Sequence, residues 1–591
     1  MNIEKTIFEL LGFKFDKEIK LEYYPGVRVC FDGYGAVIGH NSKAALARGY
    51  FLLAKEIRAG NTDFDIRQKP AFETCGVLLD MSRGGVMRVS AVKKYLNYMA
   101  ALGMNMLMLY MEDVYELEGY PFFGYQRGRY TKAELREIDD YADELGIEVI
   151  PCIQTLGHMA QYLRWKAVAD VRDTPGVLMV GEPKTYELIE AMIKIMRNTF
   201  RTNRIHLGMD EAHDMGLGKY LEKNGYHDRY RIFSSHLKRV YGICEKYELK
   251  PMIWSDMFFT LDKNRIDYDL DTVVPEEVIR EMPDVNLVFW NYFRTDEEYY
   301  KVNLQKHRAF GKEVSFAGGV QTWNGFMPNL SHAMVTSKPA LKQCIENNVR
   351  TVIATVWCDD GCETNHFLAL SGLPVFSEYC YLGLDVTDGH IYDTIYALTG
   401  MKRDLTEAIS DFFLGEISAV RLGKAFFYCD PLYDLIAYDV DYDKAERAWE
   451  NAIKTIEKYP GVPNYEYYLT LFKIILEKCG LRKNLRAGYL KRDTEYLRKV
   501  SEVILPALKK EYARFLEIHR RQWFDTYKAQ GFEELNVRYG GVIARIDYAA
   551  SEIARFLDGE TRKIEELETE TLTGINRTWG SAKCFMSIYI G

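Results

Sequence analysis

Between residues 75 and 357 the chain alternates short, nearly continuous apolar runs with longer stretches in which apolar residues recur every three or four positions. The apolar runs are Cys75–Met81, Asn105–Met111, Glu148–Ile153, Arg204–Gly208, Pro251–Trp254, Asn286–Trp290, Val314–Gly318 and Thr351–Trp357. Such runs predict parallel strands buried on both faces, because a strand with one wet face alternates polar and apolar residues. The amphipathic segments between them, such as Lys132–Leu145 and Asp228–Tyr247, predict helices that cover the sheet. Eight strands alternating with helices place the chain in the α/β class, and the economical closure is a (β/α)8 TIM barrel. A doubly wound open sheet competes, but no glycine-rich dinucleotide fingerprint follows the first strand.

The flanks read differently. Residues 1–70 mix strand-like runs at Leu21–Tyr24 and Val27–Phe31 with a helical stretch from Ser42 to Ala59, and predict a small α+β domain. The barrel is expected over residues 71–388. Beyond it the strand signal fades into the amphipathic segments Leu405–Arg421, Asp443–Tyr459, Tyr465–Leu481, Glu495–Lys528 and Val542–Leu557, so residues 389–591 are expected to form an α-helical domain. These helices are long enough to offer a homodimer interface, and packing within one chain accounts for their apolar faces equally well.

Composition narrows the classes of partner. A formal charge of −9 and the lack of any long basic run argue against a nucleic-acid or anionic-membrane partner. The first twenty residues hold no basic segment followed by an uninterrupted apolar one, and nothing later reads as a membrane-spanning run, so the expected compartment is the cytoplasm. Eleven scattered cysteines fit reduced thiols. The close pair Cys358 and Cys362 has no matching second pair and reads as packing, so no metal or cofactor is expected.

Candidate chemistry centres on Arg204–His213, where an apolar run ends in two adjacent carboxylates, Asp210 and Glu211. Period-2 alternation would bury one of them inside a strand, whereas a strand tip opening into a cleft accommodates both. One carboxylate can then be held ionised by hydrogen bonds while the other acts as an acid, the division of labour that glycosidic bond cleavage needs. Barrel enzymes carry their chemistry at the C-terminal ends of strands. Those positions hold Asp80 and Arg83, Glu112 and Asp113, Gln154 and His158, Asp210 and Glu211, Trp254 and Asp256, Trp290 and Tyr292, Trp323, and Trp357 with Asp359 and Asp360. Four of the eight tryptophans therefore fall at the last four strand ends, which suggests an aromatic cage for a sugar ring and an acetyl methyl.

His206-Leu207-Gly208-Met209-Asp210-Glu211 resembles the H-x-G-x-D-E signature of glycoside hydrolase family 20, the β-N-acetylhexosaminidases. Gly76–Arg83, Met104–Asp113 and Tyr141–His158 resemble further stretches of that family, in the same order. The resemblance implies a retaining hydrolase acting on terminal N-acetylhexosamine. Glu211 would be the general acid and base, and Asp210 would hold the substrate's acetamide N–H while the acetamide oxygen attacks the anomeric carbon. Tyr292 would donate to that oxygen, and Asp113 with His158 would tune the acid. Trp254, Trp290 and Trp323 would form the acetamide pocket and Trp357 the platform under the sugar. The chain departs from the family where Cys75 replaces an arginine that grips sugar hydroxyls, and where Cys152 and Asp359 replace acids. These departures suggest a divergent branch, and Arg83, Glu112, Asp359, Asp360 and Glu363 are the nearest replacements for the arginine. Two other readings remain: a metal-dependent hydrolase with His206, Asp210, Glu211 and His213 as ligands, and a non-catalytic glycan-binding protein.

Overall fold

The computed structural model describes residues 2–261, 268, 270–415, 422–433, 435–436, 440–570, 582 and 586. After a helix at Ile3–Leu11, the strands β1 (Ile19–Tyr23), β2 (Val27–Phe31), β3 (Ala36–His40) and β4 (Phe64–Gln68) form a sheet in the order β1-β3-β2-β4. The β1/β3 pair is parallel and the others are antiparallel, with the helix Lys43–Arg58 packed on β2 and β3. The first helix and two of these strands go beyond the sequence expectation. Asn2 caps that helix through its side chain and Gly12 closes it with φ +60°, two local signals of helix ends.

The barrel strands are β5 (Thr74–Asp80), β6 (Met106–Glu112), β7 (Glu148–Ile153), β8 (Arg204–His206), β9 (Lys250–Trp254), β10 (Asn286–Trp290), β11 (Val314–Gly319) and β12 (Thr351–Val356). All neighbouring pairs are parallel, and β12 pairs with β5 to close the ring. Every residue of β6 and β12 is buried, as continuous apolar runs require when helices cover the outside and side chains fill the inside. Covering helices begin and end on ordinary signals. Thr131 and Glu134 form a reciprocal cap on Lys132–Leu145, and Gly146 at φ +75° ends it.

One stretch corrects the expectation that nothing is apolar enough to cross a membrane. His366–Asp385 passes by length and composition, but 72% of it is buried inside the fold. Its central helix, Leu373–Leu382, packs on β5 and β12, so its apolar surface belongs to the core.

The C-terminal region is helical. The predicted Leu405–Arg421 helix covers Arg403–Ser410 and then tightens to a 3-10 turn at Asp411–Phe413, and residues 416–421 lie outside the described ones. The predicted Glu495–Lys528 helix is interrupted by a π-helical turn at Val500–Ile504. Pro506 lies just beyond and has no N–H to continue a regular ladder.

Two connections fix this region on the mouth of the barrel. Thr526 to Lys528 run along the loop after β5, with Arg88 N–H donating to the Thr526 carbonyl and Lys528 N–H to that of Val86, both at 2.8 Å. The second connection is a buried charge cluster. Arg538 reaches Glu363 at 2.7 Å and Asp360 at 2.8 Å, Lys424 reaches the same two carboxylates at 2.5 Å each, and the Tyr428 hydroxyl donates to Glu363 at 2.6 Å. Removing one partner from such a cluster leaves a buried carboxylate short of its counter-charge. Arg538→Met is therefore expected to destabilise the protein by about 3–5 kcal/mol in urea or thermal unfolding. Arg520→Met, which breaks an exposed pair with Glu517, should leave the unfolding midpoint nearly unchanged.

Candidate active site

β8 ends at His206, and the next five residues turn the chain into the barrel mouth. Gly208 and Met209 both have positive φ, +70° and +72°, and Glu211 has +50°. Glycine is needed at 208 because a Cβ there would lie 2.1 Å from Gln154 Oε1. That close approach lets Gln154 serve Asp210, donating from Nε2 to Oδ1 at 2.7 Å. On the other side His158 Nε2 lies 3.0 Å from Asp210 Oδ2 and 3.4 Å from Glu211 Oε2. The Asp210 side chain is 11% exposed and that of Glu211 is 39%, so the first is enclosed and the second is open to solvent.

Charge follows this arrangement. Burial opposes ionisation of Asp210, but the His158 imidazolium and the Gln154 amide overcome it and hold the carboxyl at about 2. Burial likewise opposes a charge on His158, and the Asp210 carboxylate raises it well above the ordinary histidine value. Asp256, just past β9, behaves in the opposite way. Burial, and next the Asp210 charge, push its carboxyl up to about 8. It accepts the Glu211 backbone N–H at 2.9 Å and the Trp290 indole N–H at 3.4 Å.

Aromatic rings close the far side. Trp290 stacks on Tyr292 at 5.2 Å, and Trp323 meets Tyr292 edge-on at 5.1 Å. Gly319 makes room, since a Cβ there would come within 2.5 Å of the Trp323 ring. Trp357 donates its indole N–H to the Tyr292 hydroxyl at 2.9 Å, and burial raises that phenol so that it keeps its proton. Trp254 lies deeper, fully buried against His206 and 6.0 Å from Trp357, and so supports the cage from below. Beside the carboxylates a cleft of about 540 Å³ opens past Arg83, Glu112 and His158.

Two family models match the chain: "Glycosyl hydrolase family 20, catalytic domain" over residues 72–277 and "Glycoside Hydrolase 20C C-terminal domain" over residues 416–583. The protein belongs to glycoside hydrolase family 20. Human Hexosaminidase D is 28% identical over 264 residues, which are 43% of this chain and 50% of that protein, so the chain spans half the length of this relative. Hexosaminidase D of Bos taurus is 26% identical over 246 residues, 40% of this chain and 68% of that protein. A solved structure titled a beta-N-acetylhexosaminidase shares the fold, with a TM-score of 0.52 at 16% identity over 66% of this chain and 94% of that one.

At the cleft end of the barrel the charged groups are arranged around Arg83. Cys75 is the second residue of β5, at the end of the barrel away from the cleft. Arg83 stands at the cleft end, its guanidinium 4.9 Å from the Tyr110 ring and 5.0 Å from Trp357. It pairs with Asp80 at 3.0 Å and Asp359 at 3.1 Å, and Glu112 lies 3.9 Å away. Three expected site residues are engaged elsewhere. Asp113 pairs with Arg127 at 2.5 Å, and it is Asp210 and Glu211 that His158 faces. Glu363 is 1% exposed and held by Lys424, Arg538 and Tyr428. Asp360 reaches the cleft wall but carries the same cations. Of the proposed metal ligands, His206 accepts the Gly208 N–H at 3.1 Å and packs on Trp254. Among the described residues the donors that come within 4.8 Å of one another are Cys358, Cys362 and His366, all buried.

Gln154 and Asp256 stand at strand ends in the sequence, but their roles depend on Asp210 and are visible only in three dimensions. The Asp256 proton has a measurable consequence. Folded protein holds it between the ordinary 3.8 and about 8, where an unfolded chain has already released it. Stability from this group is therefore full at acid pH and declines as pH rises through that interval. Asp256→Asn removes the titration, so the melting temperature of the parent minus that of the variant should fall from about pH 5 to about pH 9. A difference that stays flat or grows would mean that Asp256 is ionised in the fold.

Proposed function

We propose that this protein is an exo-acting, retaining β-N-acetylhexosaminidase that releases terminal β-linked N-acetylglucosamine or N-acetylgalactosamine with the help of the substrate's own acetamide. The observation that carries the reading is the enclosed, ionised Asp210 next to an open Glu211 and opposite the Trp290/Tyr292/Trp323 cage. In this reading the acetamide methyl sits in the cage. Its N–H donates to Asp210, and its oxygen attacks the anomeric carbon as the glycosidic C–O bond breaks. Glu211 gives its proton to the departing oxygen. The oxazolinium so formed is positively charged, and a fixed carboxylate at Asp210 stabilises that charge more than it does the neutral acetamide. Water then adds to the anomeric carbon, the ring's bond from that carbon to the acetamide oxygen breaks, and Glu211 takes a proton from the attacking water. Tyr292 bears a proton and accepts from Trp357, so its O–H can turn to donate to the acetamide oxygen. Buried cysteines outside any disulfide, such as Cys152, Cys244 and Cys344, support the cytoplasm as its setting.

Glu211→Gln should lower kcat/KM by about 10²–10⁴ on glycosides with basic leaving groups, and by much less on activated phenyl glycosides. Equal losses on both series would remove Glu211 from the role of acid.

Sugar hydroxyls would meet Arg83 and Asp359, which already satisfy each other at 3.1 Å. Such a pair can serve either configuration at carbon 4. Matched aryl β-glycosides of N-acetylglucosamine and N-acetylgalactosamine should therefore differ in kcat/KM by less than about tenfold, or about 1.4 kcal/mol. A preference above about a hundredfold would assign carbon-4 recognition to another group.

A further inference from the structure

The cleft that begins at His158 does not stop at one sugar. Its outer walls come from three separate parts of the chain. One is the loop after β6, with Tyr125, and another is the segment after β7, with Gln161 and Trp165. The third is the helical region, which contributes Gln530 and Glu533. Phe122, Tyr125 and Trp165 form an aromatic group, with Trp165 5.7 Å from Phe122 and 5.5 Å from Tyr125. Tyr125 is 45% exposed, an unusual state for a ring with two aromatic neighbours. Rings with one face toward water beside amide and carboxylate groups suit a pyranose, which presents an apolar C–H face and a rim of hydroxyls.

The opposite wall is held in place. Gly531 has φ +98°, and a Cβ there would come within 2.2 Å of the Gly84 carbonyl oxygen, so the helical region sits directly on the loop after β5. A Cβ on Gly128 would lie 3.0 Å from Gln530 Oε1, so that side chain crosses to the loop after β6. Glu533 accepts the Gly531 N–H at 2.7 Å. The wall is thus pinned to the loop that carries Arg83 and to the loop that follows Glu112.

We infer that this outer cleft is a subsite for a second sugar residue, the one on the leaving side of the scissile bond, and that the helical region selects oligosaccharides over simple glycosides. The leaving side follows from Glu211, which protonates the departing oxygen and whose carboxyl lies 3.4 Å from His158, where the cleft starts. The inference rests on the hydrolase reading given above, and its test separates the two. The protein, Trp165→Ala and Gln530→Ala are assayed on methyl β-N-acetylglucosaminide and on the β-1,4-linked disaccharide of N-acetylglucosamine. Each variant should lower kcat/KM for the disaccharide about tenfold more than for the methyl glycoside. Equal losses, or none, overturn the subsite while leaving the hydrolase reading intact. Calorimetric titration with the monosaccharide and the β-1,4-linked trisaccharide, run throughout in the Glu211→Gln background so that the trisaccharide is not cleaved, supplies a readout that needs no turnover. Tighter binding of the trisaccharide that disappears in Trp165→Ala supports the subsite even if no glycoside is hydrolysed, in which case it is the hydrolase reading that fails. Trisaccharide and monosaccharide binding equally would refute the subsite outright. Gln530 is exposed, so its variant decides the matter if Trp165→Ala does not fold.

Discussion

A negative charge set where water barely reaches it governs the mouth of this barrel. An ionised carboxylate in an enclosed site is tolerated only with compensating partners, and Asp210 has His158 on one oxygen and Gln154 on the other. The same charge dictates the state of its neighbour. Two enclosed anions this close repel, so Asp256 keeps its proton while Asp210 gives its own away, at about 8 and about 2 respectively. Two acids of the same type thus take opposite forms at neutral pH because their surroundings differ. Glu211, between them in function, keeps its carboxyl open to solvent and gives its backbone N–H to Asp256.

The chain accepts backbone strain to aim these groups. Glu112, His158 and Glu211 have φ of +41°, +52° and +50°, a region that side chains with a Cβ seldom occupy. Each such residue costs on the order of 1–3 kcal/mol and persists only where the surroundings over-determine it. Here the surroundings are β6, β7 and β8, whose inward residues leave no slack for the turns to relax. Strain at three successive strand ends therefore marks the same place that the charges mark.

Much of this was legible in the sequence, for identifiable reasons. Parallel strands buried on both faces produce unbroken apolar runs, and β7 and β10 begin and end where those runs do. β8 stops two residues short of its run because Gly208 leaves the extended conformation at φ +70°. Strand ends are countable, so Asp210, Glu211, Tyr292 and the tryptophans could be placed together without coordinates. Pairings between distant segments could not. Glu363 looks like one more acid near the last strand, and its partner Arg538 lies 175 positions away. Asp113 follows Glu112 directly, yet the bulge between Tyr110 and Glu112 turns the strand end, and Asp113 meets Arg127. No local periodicity encodes either outcome.

The cluster of Asp360, Glu363, Lys424 and Arg538 bears on how such a protein can be divided. Catalytic and C-terminal parts match separate family models, as if they were modules that recombine. Two of the cluster's carboxylates sit in the loop after β12, and both cations come from the helical region. A barrel cut free would present that loop with two uncompensated acids, one and four residues beyond Asp359. The helical region cut free would carry the complementary excess of positive charge. Each half as it stands carries charges that the other half neutralises, so exchanging one alone would leave buried charges without their partners.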